Sequence, residues 1–323
     1  MIFARILRRM AAFTTTVPER HVIWEAEQLV AFLHPRPWTP GTTVVTLKTN
    51  GGPSSLFELP EPDFLTLLLG AQQVGALLCE RLCVRRCALI HRPSRSDQGP
   101  PQLHLLPLHG LEADWRPHLA AKEDFQQHDP GYCSSKSGPR WDTARLEEMR
   151  GRIRAKLPAP EAPPSYAFHG DDPAHPGLFS LIVRGEEQQW RVWEDDGHVA
   201  FLTPFPNTPG LTVVVPRRPL TSDILRLEEK DYRGLALATR NAAQLLRESL
   251  GAWAVALIFE GFEIDYAHAK LIPLTEPGGN GTHCPPSPPP EFCEIYPGYV
   301  TSANGPLASP ETLRKMQITL AKV

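Results

Sequence analysis

The segment AFLHPRPWTPGTTVV, beginning at Ala31, returns as AFLTPFPNTPGLTVV, beginning at Ala200, an offset of 169 residues. No other feature constrains the fold as strongly, since whatever unit one copy builds the other must build too. Upstream, Trp24 and Glu25 answer Trp193 and Glu194 at the same offset. Downstream, LPEPDF from Leu59 answers LEEKDY from Leu227, and Leu77, Leu78 and Glu80 answer Leu245, Leu246 and Glu248. Ala88, Leu89 and Ile90 answer Ala256, Leu257 and Ile258, and Pro107 answers Pro273. PGYCSSKSGP from Pro130 then matches PGYVTSANGP from Pro297, and Leu146 and Met149 match Leu313 and Met316. Order and spacing both hold, so the 323 residues divide into two copies, 21–157 and 190–323, joined by a Pro- and Ala-rich linker over 158–189.

Within the second copy, residues 199–201 predict a short strand, PFPNTPG a proline-held turn, and LTVVVP a buried strand of β-branched residues. Over 227–250, Tyr232, Leu235, Ala238, Ala242, Leu245, Leu246 and Leu250 recur at helical spacing, and Gly251 closes that helix. AWAVALIFEG and EIDYAHAKLIPL predict two more strands. SPETLRKMQITLAKV predicts a last helix with Ser309 as N-cap and Pro310 at its first position. Strands, helix, strands and helix in that order indicate an α+β fold, an antiparallel sheet with helices gathered on it.

Composition narrows the function. A formal charge of −3 and a pI near 6.5 provide no broad basic surface, so a nucleic acid polymer is not an expected partner. No run approaches ~18 consecutive apolar residues, so no membrane span is expected. Six cysteines, at 79, 83, 87, 133, 284 and 293, show no paired zinc spacing and follow no secretory signal; reduced thiols are expected, with no metal and no cofactor. The repeat sets Cys83 opposite Gly251, at a turn, and Cys87 opposite Val255, in a strand, so Cys79, Cys83 and Cys87 are not expected to converge. Residues 1–20 carry Arg5, Arg8 and Arg9 with no acid before Glu19, which fits a disordered tail or a mitochondrial presequence. The expected compartment is cytoplasmic, with a mitochondrial one as the alternative.

The chemistry concentrates in EIDYAHAKLIPL. Side chains alternate along a strand, so the phenol of Tyr266, the imidazole of His268 and the ammonium of Lys270 share one face. Such a row can hold a phosphate, with His268 as nucleophile or base and Lys270 balancing phosphoryl charge. The same alternation also describes a half-exposed sheet face that is polar for solubility alone.

From AFL through the proline turn, the VVVP strand, the long helix, ALIFEG and an alternating strand ending in Ile-Pro, the chain resembles the histidine-triad (HIT) superfamily. The resemblance covers nearly all of both copies and implies two tandem HIT-like domains packed as an intramolecular pseudo-dimer, with a nucleotide or nucleotide conjugate as ligand. The family's hallmark is three histidines alternating with hydrophobic residues; Tyr266, His268 and Lys270 stand at those positions here. The resemblance assigns His268 the attack on an α-phosphorus, giving a nucleotidyl-histidine that water or another acceptor resolves. Some branches end the triad in another residue, which leaves Lys270 compatible with catalysis. Tyr266 replaces the histidine that orients the catalytic one. Phe201 and Leu202 stand where the family lines its base and ribose pocket, Thr203 replaces the ribose-binding aspartate, and Glu260 and Gly261 match an acidic-glycine turn. Two readings follow: a nucleotidyl hydrolase or nucleotidyltransferase acting on a mononucleotide conjugate or dinucleoside polyphosphate, or a catalytically inactive binding or scaffold protein.

Counted back from Pro107, the first copy holds Pro100, Gln102 and His104 at the three positions, so it lacks a nucleophile and is expected to be catalytically silent. Its remaining role is that of a pseudo-two-fold partner. The PGY segments, with Tyr132, Ser134, Ser135 and Gly138 or Tyr299, Thr301, Ser302 and Gly305, form either donor loops over an anion or turns leading to helices capped by Asp142 and Ser309. Their presence in the silent copy favours turns. Arg217 and Arg218 read as a solvated pair, and CPPSPPPEF from Cys284 as a stiff loop.

Overall fold

The computed structural model describes residues 20–49, 51–95, 99–277 and 289–321; the arginines of the N-terminal segment and the start of the proline tract lie outside them. The short β-rich runs pair into one antiparallel sheet of ten strands: β1 (Val22–Glu25), β2 (Leu29–Leu33), β3 (Thr43–Leu47), β4 (Cys87–His91), β5 (Gln102–Pro107), β6 (Trp190–Glu194), β7 (His198–Leu202), β8 (Thr212–Pro216), β9 (Ala254–Phe259) and β10 (Ala269–Leu274). Their order is β1-β2-β3-β5-β4-β9-β10-β8-β7-β6, which reads the same when each of β1 to β5 is exchanged for its counterpart among β6 to β10. At the centre Ile90 of β4 pairs with Ile258 of β9, the residue it matches in the sequence repeat. One register row crosses the sheet through Phe32, Val44, His104, Ile90, Ile258, Lys270, Val213 and Phe201.

Alternation gives the sheet two apolar faces. On one, Val45, Leu89, Leu105, Val214, Leu257 and Leu271 are buried with the apolar stripes of α1 (Glu61–Leu82) and α4 (Glu229–Leu250). Helix α4 stops at Gly251, φ 63°, the left-handed C-cap that glycine adopts without strain. By length and composition α1 could cross a bilayer, but Phe64, Leu67, Leu68, Ala71, Val74 and Leu78 are buried in this core. On the other face Ile90, Leu106, Phe201, Val213, Ile258 and Ile272 pack against Cys133, Tyr296 and Val300 from the loops after β5 and β10, and against α3 (Leu178–Arg184).

Those two loops cross, and the PGY segments are the crossing. Ser134 bridges Thr301; the Ser135 N–H donates to the Val300 carbonyl and the Ser302 N–H to that of Cys133, each at 2.9 Å. Beyond the crossing the helices change sides. Helix α2 (Thr143–Arg154), whose N-cap Asp142 accepts from the Arg145 N–H at 2.8 Å, packs on β6 and α4. Helix α5 (Pro310–Ala321), capped by Ser309, packs on β1 and α1. The sequence assigns α2 to residues 21–157 and α5 to 190–323; the contacts put each on the opposite half. An amphipathic stripe demands burial without naming the surface that supplies it.

Each crossing segment presses a glycine onto the opposite proline turn. Gly138 donates to the Phe205 carbonyl at 3.0 Å and Gly305 to that of Arg36 at 3.1 Å. A Cβ at either position would overlap a backbone carbonyl, that of Pro206 or Pro37. Gly138→Ala and Gly305→Ala are therefore each expected to cost about 2 kcal/mol or more, because backbone cannot yield as a side chain does. Gly151→Ala, on the open surface of α2, should instead be neutral or slightly stabilising. Denaturant titration of the three variants checks this, and equal shifts in all three would remove the close seam from the account.

The thiols depart from expectation in one respect. Cys83 stands apart and exposed at the end of α1, but Cys79 and Cys87 meet, with Sγ atoms 3.7 Å apart, because the last turns of α1 lie over the start of β4. No cluster of three metal-ligating side chains occurs among the described residues.

Candidate active site

Strand β10 begins later than its sequence pattern predicts. Residues 263–266 are bends, Ala267 N–H donates to the Leu220 carbonyl at 2.9 Å, and ladder pairing starts with Ala269 opposite Val214. The alternation nevertheless persists upstream of the strand: Ala267 and Ala269 lie in the helix-side core, and Tyr266 lies in the opposite one.

His268 is only 3% exposed, yet together with Lys270 it borders a cavity of about 220 Å³. Its Nδ1 lies 2.7 Å from the Tyr266 carbonyl oxygen. A carbonyl cannot donate, so Nδ1 carries the hydrogen and Nε2 keeps its lone pair. No described group hydrogen-bonds Nε2. Burial first, then the Lys270 ammonium, pull the imidazole down to about 4 against the opposing effect of the Tyr266 carbonyl. The ring is thus neutral at pH 7, the form in which Nε2 can attack an electrophile.

The cavity lining combines two chemistries. Phe179 and Ile182 of α3, Phe201 of β7, Leu211 and Val213 are apolar. The Phe179 ring stands edge-on to Phe201 and Tyr266, each at 5.7 Å, and to His268 at 5.3 Å. Lys136 and Ser137 from the crossing segment, with Glu263, His268 and Lys270, are its polar part. Lys270 is engaged there: its Nζ lies 2.6 Å from Glu263 Oε2 and donates to the Ser135 carbonyl at 2.8 Å. Burial on its own would raise the Glu263 carboxyl, but the Lys270 ammonium and the Ser137 hydroxyl, which donates to Glu263 at 2.8 Å, hold it below the usual carboxylate range.

Helix α3 falls inside the stretch 158–189 that the sequence presents as linker, and Phe179 and Ile182 are site residues the sequence reading missed. The available signal is the apolar run LFSLIVR between Gly177 and Gly185. Seven residues form a marginal helix in isolation, and tertiary contacts hold this one. Arg191, 4% exposed, donates to the carbonyls of Ile182 at 2.9 Å and Val183 at 2.6 Å and pairs with Glu194 at 2.9 Å. Arg217 is likewise buried, bonded to Glu194 at 2.8 Å and to the Asp195 carbonyl at 2.9 Å. It is a structural residue, not half of a solvated pair; Arg218 ion-pairs with Asp231 near the surface.

Of the predicted site residues, His268, Lys270, Phe201 and Thr203 line the cavity. Tyr266, Leu202, Glu260 and Gly261 are placed elsewhere. The Tyr266 phenol donates to the Pro216 carbonyl at 2.9 Å, so Tyr266 orients His268 through its backbone oxygen and not through its ring. Leu202 follows Phe201 in β7 and therefore points into the helix-side core. Glu260 is buried, accepts from the Tyr296 hydroxyl at 2.6 Å, and has its carboxyl raised by burial. Gly261, at φ 84°, lets the chain pass against the Ser222 carbonyl, where a Cβ would not fit. Thr203 accepts from the Phe205 N–H at 3.2 Å.

In the first half the Gln102 carbonyl accepts from Nδ1 of buried His91 at 3.0 Å, and the Leu56 N–H donates to His91 Nε2 at 3.0 Å. His104, in register with Lys270 across the central strands, lies 5.0 Å from His34, the residue matching Thr203. No nucleophile takes the place that His268 has in the second half.

No family model matches the chain. Among solved structures, a GalT-like protein of Arabidopsis thaliana is similar to it at 9% identity over 90% of this chain and 83% of that one, with a TM-score of 0.46. A HIT family protein of Bacillus subtilis is similar at 17% identity over 46% of this chain and 96% of its own, with a TM-score of 0.32. An uncharacterised HIT-like protein of Saccharolobus solfataricus is 30% identical over 101 residues, which are 30% of this chain and 72% of that relative. With that identity over most of a curated relative, in a chain whose His268 stands at the centre of a triad-like row, the protein belongs to the HIT-like family.

Proposed function

We propose that the protein binds a nucleotide or nucleotide conjugate in this cavity and acts as a nucleotidyl hydrolase or nucleotidyltransferase with His268 as nucleophile. One observation carries the reading: Nδ1 of His268 is committed to the Tyr266 carbonyl, while Nε2 has no described partner in a ring that borders the cavity. The apolar part of the lining suits a planar base and the polar part suits phosphates. Attack by Nε2 on the α-phosphorus forms an N–P bond and breaks the bond to the leaving group, which departs with the electron pair. Water or another acceptor then displaces the imidazole and restores the neutral ring. Tandem duplication accounts for the symmetric strand order, and the first half acts as an intramolecular pseudo-dimer partner that contributes Lys136 and Ser137 to the site.

The ion pair between Lys270 and Glu263 favours a second reading, nucleotide binding without turnover, because it occupies the cation at the third triad position. Intact-protein mass spectrometry, without acid quench, after mixing with nucleoside phosphoramidates, adenylates and dinucleoside polyphosphates separates the two. One nucleotidyl group per chain, absent from His268→Ala, is the expected result. Nucleotide binding with neither adduct nor turnover would leave the second reading in place.

A further inference from the structure

We infer that Lys136, supplied by the opposite half of the chain, selects an anionic leaving group, so that the preferred substrates are phosphoanhydrides and not amine conjugates; the inference rests on the proposed function. Two lysines line the cavity. The ammonium of Lys270 is matched by Glu263 at 2.6 Å, and His268 is neutral, so those three groups together present no net charge to a ligand. Lys136 makes no ion pair among the described residues, and its Nζ rests 4.0 Å from the centroid of the Tyr299 ring. An ammonium over an aromatic face is held loosely and keeps donors free for a stronger anionic partner.

The backbone around it is fixed. Asn207 donates to the carbonyls of Ser134 at 2.8 Å and Lys136 at 2.9 Å, Ser135 accepts from Lys270, and Ser137 donates to Glu263. A long side chain with no ion pair among the described residues thus extends from a rigid anchor and shares the cavity lining with Phe179 and Phe201.

The chemistry of departure favours an anion at the polar part of the lining. When Nε2 bonds to phosphorus, the electron pair of the cleaved P–O bond leaves on oxygen, and a phosphate or carboxylate carries it without needing a proton. A departing amine must gain a proton. Glu263 accepts hydrogen bonds from Lys270 and Ser137 and has none to give, the Nδ1 hydrogen of His268 is held by Tyr266, and a lysine ammonium that gave up its proton would lose the charge that favours an anion there.

The test compares kcat/KM for a dinucleoside polyphosphate and for a nucleoside phosphoramidate of a simple amine with the same base. In Lys136→Gln the anhydride-to-phosphoramidate ratio is expected to fall roughly tenfold or more, the worth of a charge-assisted hydrogen bond, and Lys136→Arg should restore most of it. An unchanged ratio, or an equal fall on both substrates, overturns the role of Lys136. His268→Ala reports separately: loss of both turnovers there, with the Lys136→Gln ratio unchanged, defeats this inference and keeps the nucleophile. Should the wild type bind without turning over, the same variant should lose affinity for nucleoside diphosphate about tenfold more than for monophosphate. Equal losses overturn the inference, and absence of nucleotide binding ends both proposals.

Discussion

Replacing His268 with alanine is expected to lower nucleotide turnover by about three orders of magnitude or more, the scale on which enzymes lose rate with their nucleophile. Binding should survive, since the apolar wall of Phe179, Ile182, Phe201 and Val213 comes from α3, β7 and β8 and not from the residue removed. The ring also contributes little that the fold needs. It is neutral, its single hydrogen bond is to a carbonyl two residues away, and its ring contact is the edge of Phe179. Steady-state kinetics beside equilibrium nucleotide binding therefore separate chemistry from affinity. Equal turnover by wild type and variant would transfer any activity to another group and sink the assignment.

The elements were legible where local pattern and repeat agreed. The run 227–250 forms α4 over Glu229–Leu250, LTVVVP forms β8, and both Asp142 and Ser309 cap as their positions suggest. What the sequence did not display depends on distant partners. Helix α3 looks like linker because seven residues cannot carry a helical period, and the arginine that anchors its last carbonyls lies beyond it at 191. The exchange of α2 and α5 is invisible because each half offers an edge strand and a long helix to pack on, so the choice between them is set by the crossing at Ser134 and Thr301. Within the site, alternation placed Tyr266, His268 and Lys270 on one face. It could not foresee that Tyr266 would satisfy its hydroxyl on Pro216, nor that Glu263, five residues before His268, would turn back onto Lys270.

Acidification from pH 7.5 to 5 is expected to destabilise the fold by about 6 kcal/mol through three histidines, His91, His104 and His268. His91 and His268 are fully enclosed or nearly so, and burial is the main cause that brings each down to about 4 from 6.5; half-buried His104 is brought down to about 3, again chiefly by burial. The sign follows from proton counts. Between pH 6.5 and about 4 at His91 and His268, or about 3 at His104, the unfolded chain binds protons and the native chain does not, so stability falls as pH is lowered through that window and levels off below it. The surroundings explain why the enclosed rings do not simply charge in place. A second ring proton would displace the Leu56 N–H from His91 Nε2, and at His268 it would charge a buried ring beside the Lys270 ammonium. Glu260 and Asp223, whose carboxyls burial raises, work in the opposite direction and trim the net effect. Denaturant unfolding with proton-uptake measurement at pH 5 should show about three protons bound at His91, His104 and His268 on unfolding, less what Glu260 and Asp223 release. His268→Gln should remove roughly one of them and flatten the slope accordingly. A fold equally stable at the two pH values, with no proton uptake, would mean that these imidazoles titrate in the fold as they do in the unfolded chain, and burial would then not be what keeps His268 neutral.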